Sequence, residues 1–224
     1  MDSLNIDDVS AARLISAATT TKTVKGLTHD FYRYPARFSP LFIRQAIETF
    51  TEYGDLVVDP FLGGGTTAVE ARILGRRSIG TDINTLATFV SKVKTTPLNR
   101  NDIVAIHACL EGLPARTNLR NKASFAEQWQ RYHKNIDTKE AWPIRKAIQL
   151  ALDSVDNLTL TQSNFVRCCI LRSSQWAFDM RKEIPSVDLF RKKLMDTSRK
   201  MLASIEEFSL NAKIADSKWD SKRL

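Results

Sequence analysis

The chain has 224 residues, 43% hydrophobic and 26% charged, with a formal net charge of +8. That length buries a core as one large domain or two small ones, and the composition is ordinary for a globular protein. No apolar run approaches the ~18 residues of a membrane span, and the start of the chain, with Asp2, Asp7 and Asp8, lacks a basic-then-apolar export pattern. The cysteines are Cys109, Cys168 and Cys169, an odd number without metal-ligand spacing, which reads as reduced thiols in a cytoplasmic protein. His29, His107 and His133 are scattered and give a metal site no support. Residues 1–100 hold 12 Lys/Arg against 10 Asp/Glu, and residues 101–224 hold 21 against 15. The excess favours a polyanionic partner. Solvated helix faces with surplus lysine account for it equally well on charge alone.

Residues 1–26 are rich in Ser, Thr and Ala and read as a weakly ordered arm, with one short amphipathic stretch around residues 9–15. An aromatic segment follows, from His29 to Pro40, in which Pro35 pushes Tyr34 towards an extended conformation. Ser39-Pro40 has the form of a helix start, N-cap then proline. The helix from Leu41 to about Glu52 puts Phe42, Ile43, Ala46, Ile47 and Phe50 on one side.

Leu56-Val57-Val58 reads as a buried strand, and Asp59-Pro60-Phe61-Leu62-Gly63-Gly64-Gly65-Thr66-Thr67 follows it. The next residues are helical up to Leu74, and Gly75 is placed to end that helix. Strand, glycine turn and helix turn backbone N–H groups towards a ligand, and glycine lets the ligand approach the backbone closely. No Gly-Lys-Ser/Thr follows, and the spacing is not G-x-G-x-x-G, so a nucleoside without a phosphate chain fits better than a dinucleotide. A second strand, residues 77–81, ends at Asp82, 23 positions after Asp59. An acid so placed can accept both ribose hydroxyls; taken alone, it is equally a helix-capping Asp.

Asn84 can cap a helix running to Lys94. From residue 101 to 210 no strand pattern is found. Helical patterns run over residues 102–111, 122–133, 139–152, 161–181 and 186–208. The last carries Val187, Phe190, Leu194, Met201, Ile205 and Phe208 along one seam. About 110 residues without strand patterning are too many for a loop and form a helical subdomain. Trp129, Trp142 and Trp176 lie in it and read as core or helix-contact residues. Residues 211–217 have the form of a third short strand ending in Asp216.

Asp59 to Thr67, with Gly80-Thr81-Asp82-Ile83-Asn84, resembles the S-adenosylmethionine-binding motif of the DNA amino-methyltransferases, D-P-F-x-G-x-G-T-T. Tyr34-Pro35-Ala36-Arg37-Phe38-Ser39-Pro40 resembles the Y-P-A-R/K-F/M-x-P segment that lines the methionine end of the pocket in one branch of that family. The resemblance implies a cofactor site built from Tyr34, Pro35, Arg37, Asp59, Phe61, Gly63, Gly65, Thr66, Thr67, Asp82, Ile83 and Asp216. In it Asp59 holds the methionine ammonium, Asp82 the ribose, Ile83 packs on the adenine and Asp216 meets the adenine amino group. The expected fold is α/β, a partial Rossmann-like sheet with a large all-helical insertion. Its parts are an arm (1–26), a cofactor-binding unit (27–100), a helical subdomain (101–210) and a returning third strand (211–224).

The family orients its target amine with D/N/S-P-P-Y/F/W on a fourth strand. The seven prolines here (35, 40, 60, 97, 114, 143 and 185) are all isolated, so no such motif is present and no catalytic residue is assigned. The resemblance covers the N-terminal half of such an enzyme. The reading is a methyltransferase acting on adenine N6 or cytosine N4 of DNA, here as its cofactor-binding half from a truncated or split gene, with a second polypeptide supplying the catalytic half. A cytosine-C5 enzyme is disfavoured, since no cysteine follows a proline. The alternatives are an RNA guanine-N2 methyltransferase, against which the Tyr34–Pro40 segment argues, and a non-catalytic cofactor- or DNA-binding remnant.

Overall fold

Asp7 begins the first helix. Its carboxylate accepts the N–H groups of Val9 (3.0 Å) and Ser10 (2.9 Å), donors that a helix start otherwise leaves without a partner. Helix α1 (Asp8–Thr19) follows, with Ala17 buried. The computed structural model describes residues 6–20, 26–35, 38–124, 138–179, 181 and 183–221. The weakly ordered arm expected at 1–26 is therefore a capped helix over residues 8–19, while residues 1–5 and 21–25 lie outside the described residues. A 3₁₀ turn (His29–Phe31) and helix α2 (Pro40–Phe50) come next. Ser39 and Pro40 open α2 in the expected order, although the Ser39 side chain makes no capping hydrogen bond.

Strand β1 (Leu56–Asp59), helix α3 (Thr66–Ile73) and strand β2 (Arg77–Gly80) form one unit, in which the strands pair in parallel with Val58 opposite Ile79 and Asp59 opposite Gly80. Gly75 ends α3 as its position implies: it sits at φ +74°, its N–H bonds the Arg72 carbonyl, and the Arg76 N–H bonds that of Ala71. Side chains alternate across the sheet. Val57, like Phe42 of α2 and Leu74, packs against the buried cluster of Ile43, Ile47 and Ala71 on one face. On the other face Leu56, Val58 and Ile79 are 45%, 62% and 53% exposed. The strand expected to be buried is thus half-buried on one side, at Val57 and Asp59, and exposed on the other, and β2 is exposed along its length. Helix α4 (Thr85–Thr95) starts at Asn84, whose side chain accepts the Leu86 N–H at 3.0 Å.

Two compact units divide the chain, one of residues 1–97 with 204–224 and one of residues 98–203. The second holds α5 (Arg100–Arg116), α6 (Trp142–Asp153), α7 (Leu160–Phe178) and the first part of α8 (Val187–Ser221). Capping boxes at Asn99/Asp102 and Thr159/Gln162 open α5 and α7. Its core includes Ile106, Leu113, Ile144, Phe165, Phe190 and Leu194. The helical pattern at 122–133 and Trp129 fall mostly outside the described residues. Trp142 is 46% exposed, and Trp176 lies under the Arg181 guanidinium, 3.9 Å from the ring centroid. The three cysteines are free and buried.

The third strand expected at 211–217 does not form; those residues continue α8. The buried seam of Phe190, Leu194, Met201, Ile205 and Phe208 runs on at helical spacing through Ala212 and Ala215, so the short stretch extends an existing helix rather than starting a strand. The described residues are mostly helical, with one two-stranded parallel sheet. This is compatible with the expected α/β class and smaller than the expected Rossmann-like sheet. Among the described residues no helix is long and apolar enough to cross a membrane.

Candidate cofactor site

The two strands deliver their loops to the same edge of the sheet. Asp59 ends β1, and its Oδ1 accepts the Phe61 N–H at 3.0 Å, which turns the chain out of the strand. Two backbone bonds tie this turn to the end of β2: Thr81 N–H to the Asp59 carbonyl (3.0 Å) and Leu62 N–H to the Thr81 carbonyl (2.9 Å). The loop closes with Gly65 N–H on the Leu62 carbonyl at 2.8 Å. Gly63 and Gly65 have φ of +48° and +73°, where a side chain is strained. Gly65 is the N-cap of α3, followed by buried Thr66 and half-buried Thr67.

Asp82 reaches back to this loop. Its Oδ1 accepts the Asn84 N–H and its Oδ2 the Gly63 N–H, both at 2.8 Å. These two backbone donors, Asn84 first, hold its carboxyl below the usual carboxylate range. The role of helix cap, open to Asp82 from sequence, belongs to Asn84. Each carboxylate oxygen keeps lone pairs for a further donor.

Tyr34 completes the wall. Its ring lies 3.5 Å from where a Cβ on Gly63 would stand, and its own Cβ 3.1 Å from one on Gly64. Asn84 Nδ2 donates to the Tyr34 hydroxyl at 3.4 Å. At Gly65 a Cβ would fall 2.4 Å from Ser91 Oγ and 3.1 Å from Ser91 Cα, on α4. Packing against α4 therefore demands glycine at 65, Tyr34 leaves little room at 64, and at 63 the positive φ, not a contact, favours glycine. Pro35 is exposed, while Arg37 lies outside the described residues. Phe61 and Ile83 are 86% and 104% exposed, apolar side chains standing free beside the loop.

Tyr34, Asp59, Gly63, Gly65, Thr66 and Asp82 thus come together, with Phe61 and Ile83 flanking them. Asp216 does not join them. It sits on α8, where both its oxygens accept hydrogen bonds from the Arg72 guanidinium at 2.7 and 2.8 Å. Arg72 lies in the last turn of α3, and the glycine loop adjoins its first. The acid expected at the adenine is engaged at the other end of the helix.

Two further groups carry no motif in the sequence. Ser91 and Lys94, one turn apart on α4, donate to the carbonyls of Gly63 (3.4 Å) and Gly64 (2.5 Å). Glu70 is buried on α3, with Oε1 2.7 Å from His29 Nε2 and Oε2 accepting from Arg44 Nε at 2.8 Å. Polar residues on the buried stripe of an amphipathic helix were the available signal: Ser91 and Lys94 follow Ala87 at helical spacing, and Glu70 neighbours Val69 and Ala71. Two concavities of this unit, one between α1 and α2 and one around His29, Arg44, Glu70 and Glu207, contain none of the residues expected at the cofactor.

The donor set is two carboxylates, a backbone loop with positive-φ glycines, an aromatic wall and two exposed apolar side chains. It suits a ligand with a cationic end, a diol and a flat apolar ring, so the residues present fit S-adenosylmethionine.

Residues 12–88 match the sequence model of the N6/N4 family described as DNA methylase. Over 77 residues the chain is 40% identical to the type II methyltransferase M.MvaI of Kocuria varians, covering 33% of this chain and 17% of that enzyme. It is 33% identical over 81 residues to M.MjaII of Methanocaldococcus jannaschii, 36% of this chain and 14% of that enzyme. With M.BsoBI of Geobacillus stearothermophilus it shares 46% identity over 56 residues, 25% of this chain and 11% of that enzyme. The chain spans only 17%, 14% and 11% of the length of these relatives. No solved structure matches it.

Proposed function

From the match of residues 12–88 to the N6/N4 DNA methylase model, we propose that the chain is the cofactor-binding part of a DNA methyltransferase using S-adenosylmethionine. The observation that carries this reading is the Asp82–Gly63 hydrogen bond, which fixes the expected ribose acid against the glycine loop. Asp82 holds the ribose hydroxyls and Asp59 the methionine ammonium. Tyr34 and Pro35 line the methionine end, and the backbone of Phe61 to Thr67 supports it. Ile83 packs on the adenine. When bound, the cofactor supplies an electrophilic methyl group on a sulfonium. The substrate class is an exocyclic amine of DNA, adenine N6 or cytosine N4, flipped out of the duplex so that its nitrogen meets the methyl in line. As the relatives are named type II methyltransferases, the reading places the chain in restriction–modification.

Orienting that amine takes a D/N/S-P-P-Y/F/W motif, which these 224 residues do not contain. We place it outside these 224 residues. The exposed sheet face of Leu56, Val58 and Ile79 supports this, because parallel sheets are covered on both faces. The experiment is a transfer assay with labelled cofactor and duplex DNA, with the chain alone and with a polypeptide carrying that motif. Transfer is expected only from the pair. Transfer by the chain alone would show that its catalytic residues lie within it, and none from either would count against the reading.

A further inference from the structure

Lys94 is a lysine with almost no exposed surface, 1%. Burying an ammonium costs far more than burying an amide unless strong acceptors meet it. Here its Nζ donates to the carbonyl of Gly64 at 2.5 Å. Ser91, one turn earlier, donates to the carbonyl of Gly63 at 3.4 Å. The end of α4 is itself fixed, since the hydroxyl of fully buried Thr28 donates to the Lys94 carbonyl at 3.0 Å. Both loop carbonyls are thus drawn to α4. In planar trans peptides this turns the Gly64 N–H away from α4, and the Gly65 N–H is spent within the loop, on the Leu62 carbonyl at 2.8 Å. Tyr34 closes on the same two glycines from its own segment. The Gly64 peptide is therefore held between the ring assigned to the methionine end and a buried positive charge.

We propose that Lys94 is a positioning residue for the amino-acid end of the cofactor, an inference that rests on the site binding S-adenosylmethionine. Its ammonium fixes the Gly64 carbonyl, and because a hydrogen bond from a charged donor strengthens the next one in the chain, it also firms the Gly65–Leu62 bond that closes the loop. It also places a cation behind the loop, where Asp59 and Asp82 supply only negative charge. The methionine end brings a carboxylate as well as an ammonium, and Lys94 offsets the repulsion that this carboxylate would meet.

The test compares two ligands on the full 224-residue chain: S-adenosylmethionine, and 5′-methylthioadenosine, which has the same nucleoside and no amino-acid end. Calorimetry on K94M is expected to show S-adenosylmethionine weakened about tenfold or more, the loss typical of a hydrogen bond from a charged group, with 5′-methylthioadenosine changed far less. A merely structural role would weaken both ligands together. Equal losses, or no loss in folded K94M, would overturn the proposal. If K94M does not fold, the same ratio is read on K94Q, whose shorter neutral amide keeps a donor; an unchanged ratio there overturns the proposal equally. A parent chain that binds neither ligand overturns the reading of the site itself, and this role with it.

Discussion

Gly63 donates its backbone N–H to Oδ2 of Asp82 at 2.8 Å, across 19 positions of sequence. The loop after β1 and the acid after β2 are locked together before a ligand arrives. A carboxylate aimed by two backbone N–H groups does not have to be reoriented on binding, which lowers the ordering cost of recognition.

Those two donors also set how Asp82 titrates. With the carboxyl held low, by Asn84 first and Gly63 second, the charged form persists through the range where an ordinary Asp, near pH 3.9, takes up its proton. The bond to Gly63 therefore contributes to stability at and above the ordinary value and is lost only as pH falls through the lower, folded-state one. Carboxyl-carbon NMR should find the Asp82 midpoint below the usual aspartate value; a midpoint at or above it contradicts the geometry.

Gly65→Ala should be destabilising by about 2 kcal/mol or more, because a side chain at positive φ is strained and its Cβ meets α4 as well. The Cβ would stand 2.4 Å from Ser91 Oγ. Adding Ser91→Gly should recover part of the loss, the part due to the clash and not to φ. Urea denaturation of both variants measures this, and a neutral G65A would show that the loop is looser than described.

Glu70 is 1% exposed and shared by His29 and Arg44. Arg44, 39% exposed, stays solvated without it, while buried His29 loses Glu70 as a partner, and a buried polar group left without a partner typically costs about 1–3 kcal/mol. Glu70→Ala should therefore lower unfolding stability by that order. A loss below about 0.5 kcal/mol, the range of an ordinary surface substitution, would mean that the cluster contributes nothing.

Asp216→Asn separates stability from binding. The Arg72 guanidinium holds the Asp216 carboxyl low, and Asp216 pushes Arg72 up, so the two directions agree. Their side chains are 56% and 31% exposed, which limits the pair to about 0.5–1 kcal/mol. The variant should lose about that much stability, seen in thermal melts, and keep the parent's affinity for S-adenosylmethionine. Lost affinity would restore Asp216 to the adenine site.

Much of the site was legible in the sequence. The run from Asp59 to Thr67, Asp82 and Asn84 fixed the loop, the acid and the next helix start, because turn glycines, strand-end acids and caps are local signals. The seam of α8 was legible for the same reason as far as Phe208. It failed at Ala212 and Ala215, where seven residues read by themselves resemble a strand and only the spacing inherited from Phe208 marks them as helix. Helix α1 was read only as a short amphipathic stretch at residues 9–15 in a weakly ordered arm, because its one strong signal, the Asp7 cap, stands in front of a weakly patterned run. Ser91 and Lys94 were not legible as partners of the glycines, since nothing in a sequence says which loop a helix face will meet.

The central claim is that this loop and this acid bind S-adenosylmethionine, and titration calorimetry on the parent chain and Asp82→Ala tests it most directly. The account predicts binding by the parent, weakened about tenfold or more in the variant, as for a lost hydrogen-bonding group that is charged. No binding by the parent, or equal affinity in the two proteins, would contradict it.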